Sequence, residues 1–384
     1  MSGPLTGLKV VEFAGIGPGP FACMLLADLG ADVIRVDRLT GGNALGAQEN
    51  PADVLNRGRR SIAVNLKSSE GVEAALKLVD SADVLVEGFR PGVMEKLGLG
   101  PDVCAQRNPR LIYARMTGWG QSGPLSHAAG HDINYIAITG SLNAIGRKDS
   151  GPVPPLNLLG DFGGGSMYLL LGIMSALYER QNSGLGQVVD AAITDGVISL
   201  MAFTQGFAAM GMWNNERQSN MLDGAAPYYD TYQCSDGKWI SVGSIEPQFF
   251  ALLMEKLGIE QEGEANFATQ FDQTKWPEMK SRVADIFSRK SRDDWCEIME
   301  GTDVCFAPVL DMNEAPAHPH NVARDAFVER DGVVQTAPAP RFSRTPGEIG
   351  ATPVGVGCHS RAILAEAGVS PEAIAALFEN GAVG

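Results

Sequence analysis

Leu8-Lys9-Val10-Val11-Glu12-Phe13, then Gly15-Ile16-Gly17-Pro18-Gly19-Pro20, then Phe21 to Leu29, Gly30 and Ala31 to Val36 decide the fold. The first six residues read as a buried strand. The glycines and prolines form a turn. Phe21–Leu29 has helical apolar spacing, and Pro20 suits the first helical position. Gly30 ends that helix, and Ala31–Val36 reads as a second strand, which completes a β-α-β unit. The alternation continues with a strand over Ser61–Leu66 and a helix whose Val72, Ala75, Leu76 and Val79 share one face. Further strands fit Val84-Leu85-Val86 and Leu111–Ala114. Strand-helix alternation of this kind predicts an α/β fold with a parallel, doubly wound, Rossmann-like sheet.

Farther on, Ser166 to Arg180 reads as a strong helix and 189–225 as mainly helical. At Tyr228 the pattern changes. Tyr228–Cys234 and Lys238–Val242, joined by Ser235-Asp236-Gly237, predict a β-hairpin, followed by helices at 246–257, 276–289 and 292–300. The stretch 330–357 reads as an extended return connection, and helical pattern resumes over Ser360–Phe378. The predicted organisation is a large α/β domain from 1–188 and 330–384, a helical linker at 189–225, and a smaller α+β domain at 226–329.

Composition limits the function. The chain of 384 residues is 45% hydrophobic and 20% charged, enough for large cores. Lys+Arg is 30 and Asp+Glu is 45, a net charge of −15, which argues against nucleic acid and anionic membranes as partners. No apolar run approaches the roughly 18 residues of a membrane span. Met1–Gly7 does not read as a secretory leader, and Asn380–Gly384 is not a Ser-Lys-Leu signal, so a cytoplasmic location is expected. The six cysteines, 23, 104, 234, 296, 305 and 358, have no Cys-x-x-Cys spacing and read as reduced, buried thiols. His318 and His320 lack an acid or thiol partner in sequence, so no metal site is expected.

Gly15-x-Gly17 after a strand, with Asp37 beyond, resembles a dinucleotide fingerprint. Pro18 and Pro20 remove N–H donors that a pyrophosphate would use, which argues against nicotinamide binding. Between Arg35 and Lys67 lie Arg35, Arg38, Arg57, Arg59, Arg60 and Lys67 against only Asp37, Glu49 and Asp53. A local excess of +3 in an acidic chain reads either as a solvated loop or as a site for a phosphorylated ligand.

Three segments carry candidate chemistry. Gly130-His131-Asp132-Ile133-Asn134-Tyr135 puts a histidine where a helix begins; His131 and Asp132, being adjacent, diverge and do not form a dyad. Asp161 precedes Phe162-Gly163-Gly164-Gly165-Ser166 and then an apolar helix. It reads as a helix cap or as a group held where backbone must approach a ligand, with helix N–H donors for a developing oxyanion. Glu246 in Ile245-Glu246-Pro247-Gln248-Phe249 reads as a helix-start acid or as a group reaching a cleft. Gly120-Gln121-Ser122-Gly123-Pro124 misses the nucleophile elbow.

Gly15–Pro20, Asp37-Arg38, Arg110–Arg115, Gly130–Tyr135, Pro155–Gly165, Asn220–Gly224 and Ile245–Phe249 closely resemble α-methylacyl-CoA racemases of the family III CoA-transferase superfamily, from Gly7 to about Arg344. The resemblance implies a cofactor-independent two-base racemase working on the α-carbon of an acyl-CoA thioester through an enolate, with His131 and Asp161 on opposite sides of that carbon and Glu246 supporting His131. It implies CoA contacts at Arg38, Val64-Asn65-Leu66-Lys67 and Gly130, Asp132, Ile133, Asn134 and Tyr135, with Arg90 a further candidate. It implies an interlocked homodimer. Lys96 stands where some relatives carry arginine. The 14 methionines would suit an apolar surface that re-packs around different acyl chains. A transferase of the same superfamily, with Asp161 as nucleophile, is the alternative; such relatives generally carry an aromatic residue at the position of His131.

Overall fold

The computed structural model describes residues 3–39, 50–259 and 270–384. Contacts divide the chain into two compact units. One comprises the described residues of Met1–Thr139, Pro155–Met201 and Asp325–Gly384; the other comprises those of Gly140–Pro154 and Ala202–Arg324.

The first unit is built on six parallel strands: β1 (Lys9–Phe13), β2 (Asp32–Asp37), β3 (Arg59–Ala63), β4 (Val84–Glu87), β5 (Ile112–Thr117) and β6 (Val188–Ala192). Their order is β3-β2-β1-β4-β5-β6, so the winding reverses between β1 and β4. Val10 pairs with Val33 on one side and Val84 on the other, and all three are fully buried. Burial on both faces explains why the central strands read as continuous apolar runs. The first helix spans Pro18–Asp28, starting two residues earlier than Pro20 because Pro18 takes the first-turn position.

Several sequence expectations are corrected. The opening of 189–225 is not helical: Val188–Ala192 pairs with Tyr113–Thr117 and adds the sixth strand. Strand β3 begins at Arg59, earlier than Ser61. The connection at 330–357 contains half of a hairpin, Phe327–Arg330 with Val333–Thr336. Its turn is Asp331-Gly332, both at positive φ (52° and 76°), the geometry that Asp-Gly favours. Helical pattern after Ser360 is two helices, Ser360–Glu366 and Pro371–Glu379. Cys305 and Cys358 are exposed, not buried.

Leu158–Ser166 is a wide, π-type helical stretch that runs directly into the helix Met167–Ser183. Together they form an apolar helical run of 26 residues, long enough by length and composition to cross a membrane, contrary to the sequence reading. Its Leu169, Ile173, Ala176 and Leu177 are buried in the first unit, while Met167, Leu171, Met174 and Tyr178 are exposed.

The second unit carries an antiparallel sheet of Tyr229–Gln233, Trp239–Gly243 and Phe306–Val309. The helices Pro247–Lys256, Trp276–Phe287 and Arg292–Met299 accompany it. Its core is aromatic: Tyr232 stacks on Phe287 at 5.3 Å, and Phe287 meets Trp295 edge-on at 5.0 Å.

Candidate active site

A cavity of about 920 Å³ opens at the carboxyl ends of the central strands of the first unit. Open parallel sheets bind ligands there, where the winding reverses. Its walls include the Gly15–Pro20 turn after β1, Arg38 after β2, Phe89-Arg90-Pro91 after β4 and Gly118-Trp119 after β5. Gly130, His131, Asn134, Tyr135 and Asp161 complete the candidate constellation.

His131 is the last residue before the short helix Asp132–Ala137 and has extended backbone. Its N–H donates to Asn134 Oδ1 at 3.0 Å, and its carbonyl accepts from Asn134 N at 2.8 Å. The main chain is thereby fixed while the imidazole stays exposed on the cavity wall. Tyr135 adds a second brace: its hydroxyl donates to the Gly130 carbonyl, and its ring meets Trp119 edge-on at 4.8 Å. A Cβ on Gly118 would lie 2.0 Å from that ring, so a side chain there would expel it.

Asp161 lies inside the wide helical stretch and caps no helix, which removes the helix-cap alternative. Gly160 and Asp161 N–H groups are taken by the Asp132 carboxylate, the latter at 2.6 Å. Those two N–H groups are therefore already satisfied within the protein. Close packing explains Gly164: a Cβ there would lie 2.4 Å from Val197 Cγ2, and a Cβ on Gly196 would sit 1.9 Å from the Gly164 carbonyl oxygen. Ser166 Oγ lies 2.8 Å from the Pro18 carbonyl and 3.0 Å from that of Asp161, which ties the Asp161 segment to the β1 turn. Gly17, at φ 71°, faces the Asp161 carboxyl; a Cβ there would be 3.2 Å from Oδ2. Burial pushes the Asp161 carboxyl above its usual range, and the Asp132 charge pushes it further, against a hydrogen bond from Asn157 and the nearby His131.

The expected phosphate cluster is largely consumed by structure. Arg57 pairs with Asp28, Arg59 with Glu12, Arg35 with Asp37, and Arg60 with Asp32 and Glu366. Arg38, Lys67 and Arg90 are exposed and have no ion pair among the described residues. Arg38, Leu66 and Arg90 line the cavity. Val64 is buried and bridges to Val383. Asn65 and Lys67 sit in the turn leading to the helix Ser69–Val79, where Asn65 Oδ1 accepts from Lys67 N. Asp132 is buried, Ile133 is exposed, and neither lines the cavity. Glu246 belongs to the second unit, where it is exposed at the start of Pro247–Lys256 and near Cys305.

Two lining acids escaped the sequence reading. Glu12 pairs with Arg59 at 3.1 Å, and Glu87 pairs with Arg115 at 2.8 Å; both carboxylates are buried. The available signal was a glutamate at the end of an apolar strand run, since buried acids occur chiefly when paired.

A histidine and a half-buried carboxyl thus share a crevice flanked by unpaired cations, an arrangement suited to moving protons on an anionic ligand. The chain belongs to CoA-transferase family III, whose profile it matches over residues 5–360. It is 48% identical to alpha-methylacyl-CoA racemase of Mus musculus, over 98% of this chain and 96% of that one. It is 44% identical to alpha-methylacyl-CoA racemase of Homo sapiens, over 96% and 95%. The fold matches a CAIB/BAIF family protein from Brucella suis with TM-score 0.79 and 29% identity, covering 96% of this chain and all of that one. The similarity extends past the Arg344 limit drawn from motifs alone.

Proposed function

We propose that this protein is an isomerase that interconverts the (2R) and (2S) epimers of 2-methylacyl-CoA thioesters without a cofactor. The observation that carries this reading is the pairing of His131 and Asp161 on one cavity, in a chain close to half identical to a racemase of that name. One group takes the α-proton from one face, and the C–H electrons pass into the thioester as an enolate. The other returns a proton to the opposite face; for the other epimer the roles exchange. Burial and the neighbouring Asp132 favour the protonated form of Asp161, the form that donates. Glu246 supports His131 in this scheme. Arg38 and Arg90, exposed and unpaired among the described residues, suit the phosphates of CoA.

The assembly belongs to the same proposal. Met167, Leu171, Met174 and Tyr178, at helical spacing on one face, are exposed in the single chain, which supports their coverage by a second copy. Six free cysteines support a reducing compartment, the cytoplasm in this reading. Net charge of −15 supports the absence of nucleic-acid partners.

The test incubates one pure epimer in deuterated water without an acceptor acid. Deuterium at the α-carbon with epimerisation is expected, and His131→Ala and Asp161→Ala should each lower the rate by at least about 10²-fold, the scale of a lost acid-base group, with folding intact. CoA passing to an added carboxylate without exchange would establish the transferase reading instead.

A further inference from the structure

We propose that Asp132 is a positioning residue: from behind the cavity wall its carboxylate grips the main chain at Gly160 and Asp161, aims the Asp161 carboxyl at the Gly17 turn, and holds a second negative charge beside it. This rests on the proposed role of Asp161 and reassigns Asp132 away from contact with CoA.

The geometry carries the inference. Asp132 is 8% exposed and absent from the cavity surface. Its Oδ2 accepts the Asp161 N–H at 2.6 Å, and Gly160 N–H is also within its reach. A Cβ at Gly160 would lie 2.2 Å from the same oxygen, so the carboxylate occupies the space where a side chain would be. Its Oδ1 is buried with no hydrogen-bond partner among the described residues. No guanidinium or ammonium pairs with it there. A buried carboxylate held by amides alone costs stability relative to a paired or apolar group. An arrangement serving only to fix a loop would gain from an uncharged acceptor. The charge acts on Asp161, whose surroundings otherwise comprise His131, Tyr135 and the Asn157 amide, with Arg90 beyond Tyr135. Burial raises both carboxyls, and each ionised partner resists ionisation of the other. Asp161 is therefore kept able to hold a proton, on a main chain that cannot drift.

The experiment is a ¹³C-carboxyl NMR titration of the full chain, with Asp161 assigned through Asp161→Asn, in wild type and in Asp132→Asn. The amide keeps an acceptor oxygen and removes the charge. The expected result is a downward move of the Asp161 midpoint in Asp132→Asn, matched by the acidic limb of the kcat/KM profile, with KM for acyl-CoA changed less than about twofold. Wild type alone should show each carboxyl reporting the other's step, a readout that stands if the variant fails to fold. An unmoved midpoint with independent wild-type curves overturns the proposal, as does a variant whose loss lies in KM alone. If wild type does not exchange the α-proton, the racemase reading fails while the titration still decides the coupling.

Discussion

Arg57 and Arg38 stand in one basic stretch, and the structure separates them sharply. The Arg57 and Asp28 side chains are 2% and 0% exposed, joined at 2.5 Å and 3.1 Å. Arg57 Nη1 also donates to Gln335 Oε1 at 2.8 Å and to the Thr336 carbonyl at 3.0 Å. Arg57→Ala leaves the Asp28 carboxylate buried without its cation. Breaking such a pair costs about 3–5 kcal/mol. At roughly 2–4 °C per kcal/mol for a unit of this size, the melting temperature should fall by roughly 6–20 °C. Burial already raises the Asp28 carboxyl, and Arg57 opposes that shift; without Arg57 its folded pKa rises further above the unfolded value of 3.8. The folded variant then holds the proton more tightly than the unfolded chain. Its deficit against wild type is smallest below the unfolded pKa and grows as pH rises through the folded one. Asp28→Leu with Arg57→Met should recover most of the loss, because replacing both partners is often neutral. Arg38→Ala, at an exposed position on the cavity, should leave melting unchanged and raise KM with little change in kcat, since contacts remote from the reacting carbon bind ground and transition states alike. Calorimetry across pH and steady-state kinetics read both. A normally melting Arg57→Ala with a raised KM would refute the reasoning, because Arg57 would then be a ligand contact.

Two further outcomes follow from the Asp161 segment. Asp161→Asn should stabilise the fold at neutral pH while removing activity, by roughly 1.4 kcal/mol for each pH unit separating the folded and unfolded titrations. Because the folded carboxyl is raised above 3.8, that advantage should vanish as pH falls below 3.8 and reach full size above the folded pKa; denaturant titration across pH checks it, and a constant difference contradicts it. Gly196→Ala puts a Cβ 1.9 Å from the Gly164 oxygen and must shift the segment bearing Asp161. Overpacking of this kind costs about 1–3 kcal/mol, and a displacement near 1 Å costs on the order of 10²-fold in rate, so kcat should drop with KM nearly unchanged; wild-type kcat would be the contrary result.

The central sheet was legible because β1, β4 and β5 are almost wholly buried and so carry short apolar runs such as Val10-Val11, Val84-Leu85-Val86 and Leu111–Ala114. Val188–Ala192 was not, since an edge strand with exposed Val188 and a buried Ala191-Ala192 end carries no period that separates it from the helix beginning at Ile193. The Asp331-Gly332 turn was readable from the dipeptide but lay in a stretch dominated by proline and glycine. The site residues on the cavity came from motifs, whereas the fate of the basic stretch could not be read locally. The acids that neutralise Arg57, Arg59 and Arg60 are Asp28, Glu12, Asp32 and Glu366, all outside the 35–67 window. A charge count over a window measures solvent-facing charge only when pairing is local, and a parallel sheet makes it remote. The wide turn at Leu158–Ser166 has no periodic signature; its glycines told of close approach, not of what approached.

In the proposed mechanism, the charges around the cavity favour Asp161, rather than Glu12 or Glu87, as the acid that exchanges a proton. Glu87 is also raised by burial, yet Arg115 donates to its Oε1 at 2.8 Å and the Phe89 N–H to its Oε2 at 2.7 Å. Glu12 is pinned by Arg59, which also donates to the Arg57 carbonyl. A carboxylate with a guanidinium at hydrogen-bond distance is held as scaffold, because gaining a proton would forfeit a charge-assisted bond. Among the described residues, the Asp161 carboxyl has a single hydrogen-bond contact, the Asn157 amide at 3.5 Å, with a like charge and the His131 ring nearby. Neither of its protonation states is held by a charge-assisted bond, and the proposed reaction, in which one group accepts a proton from one epimer and returns one to the other, requires that freedom in both directions.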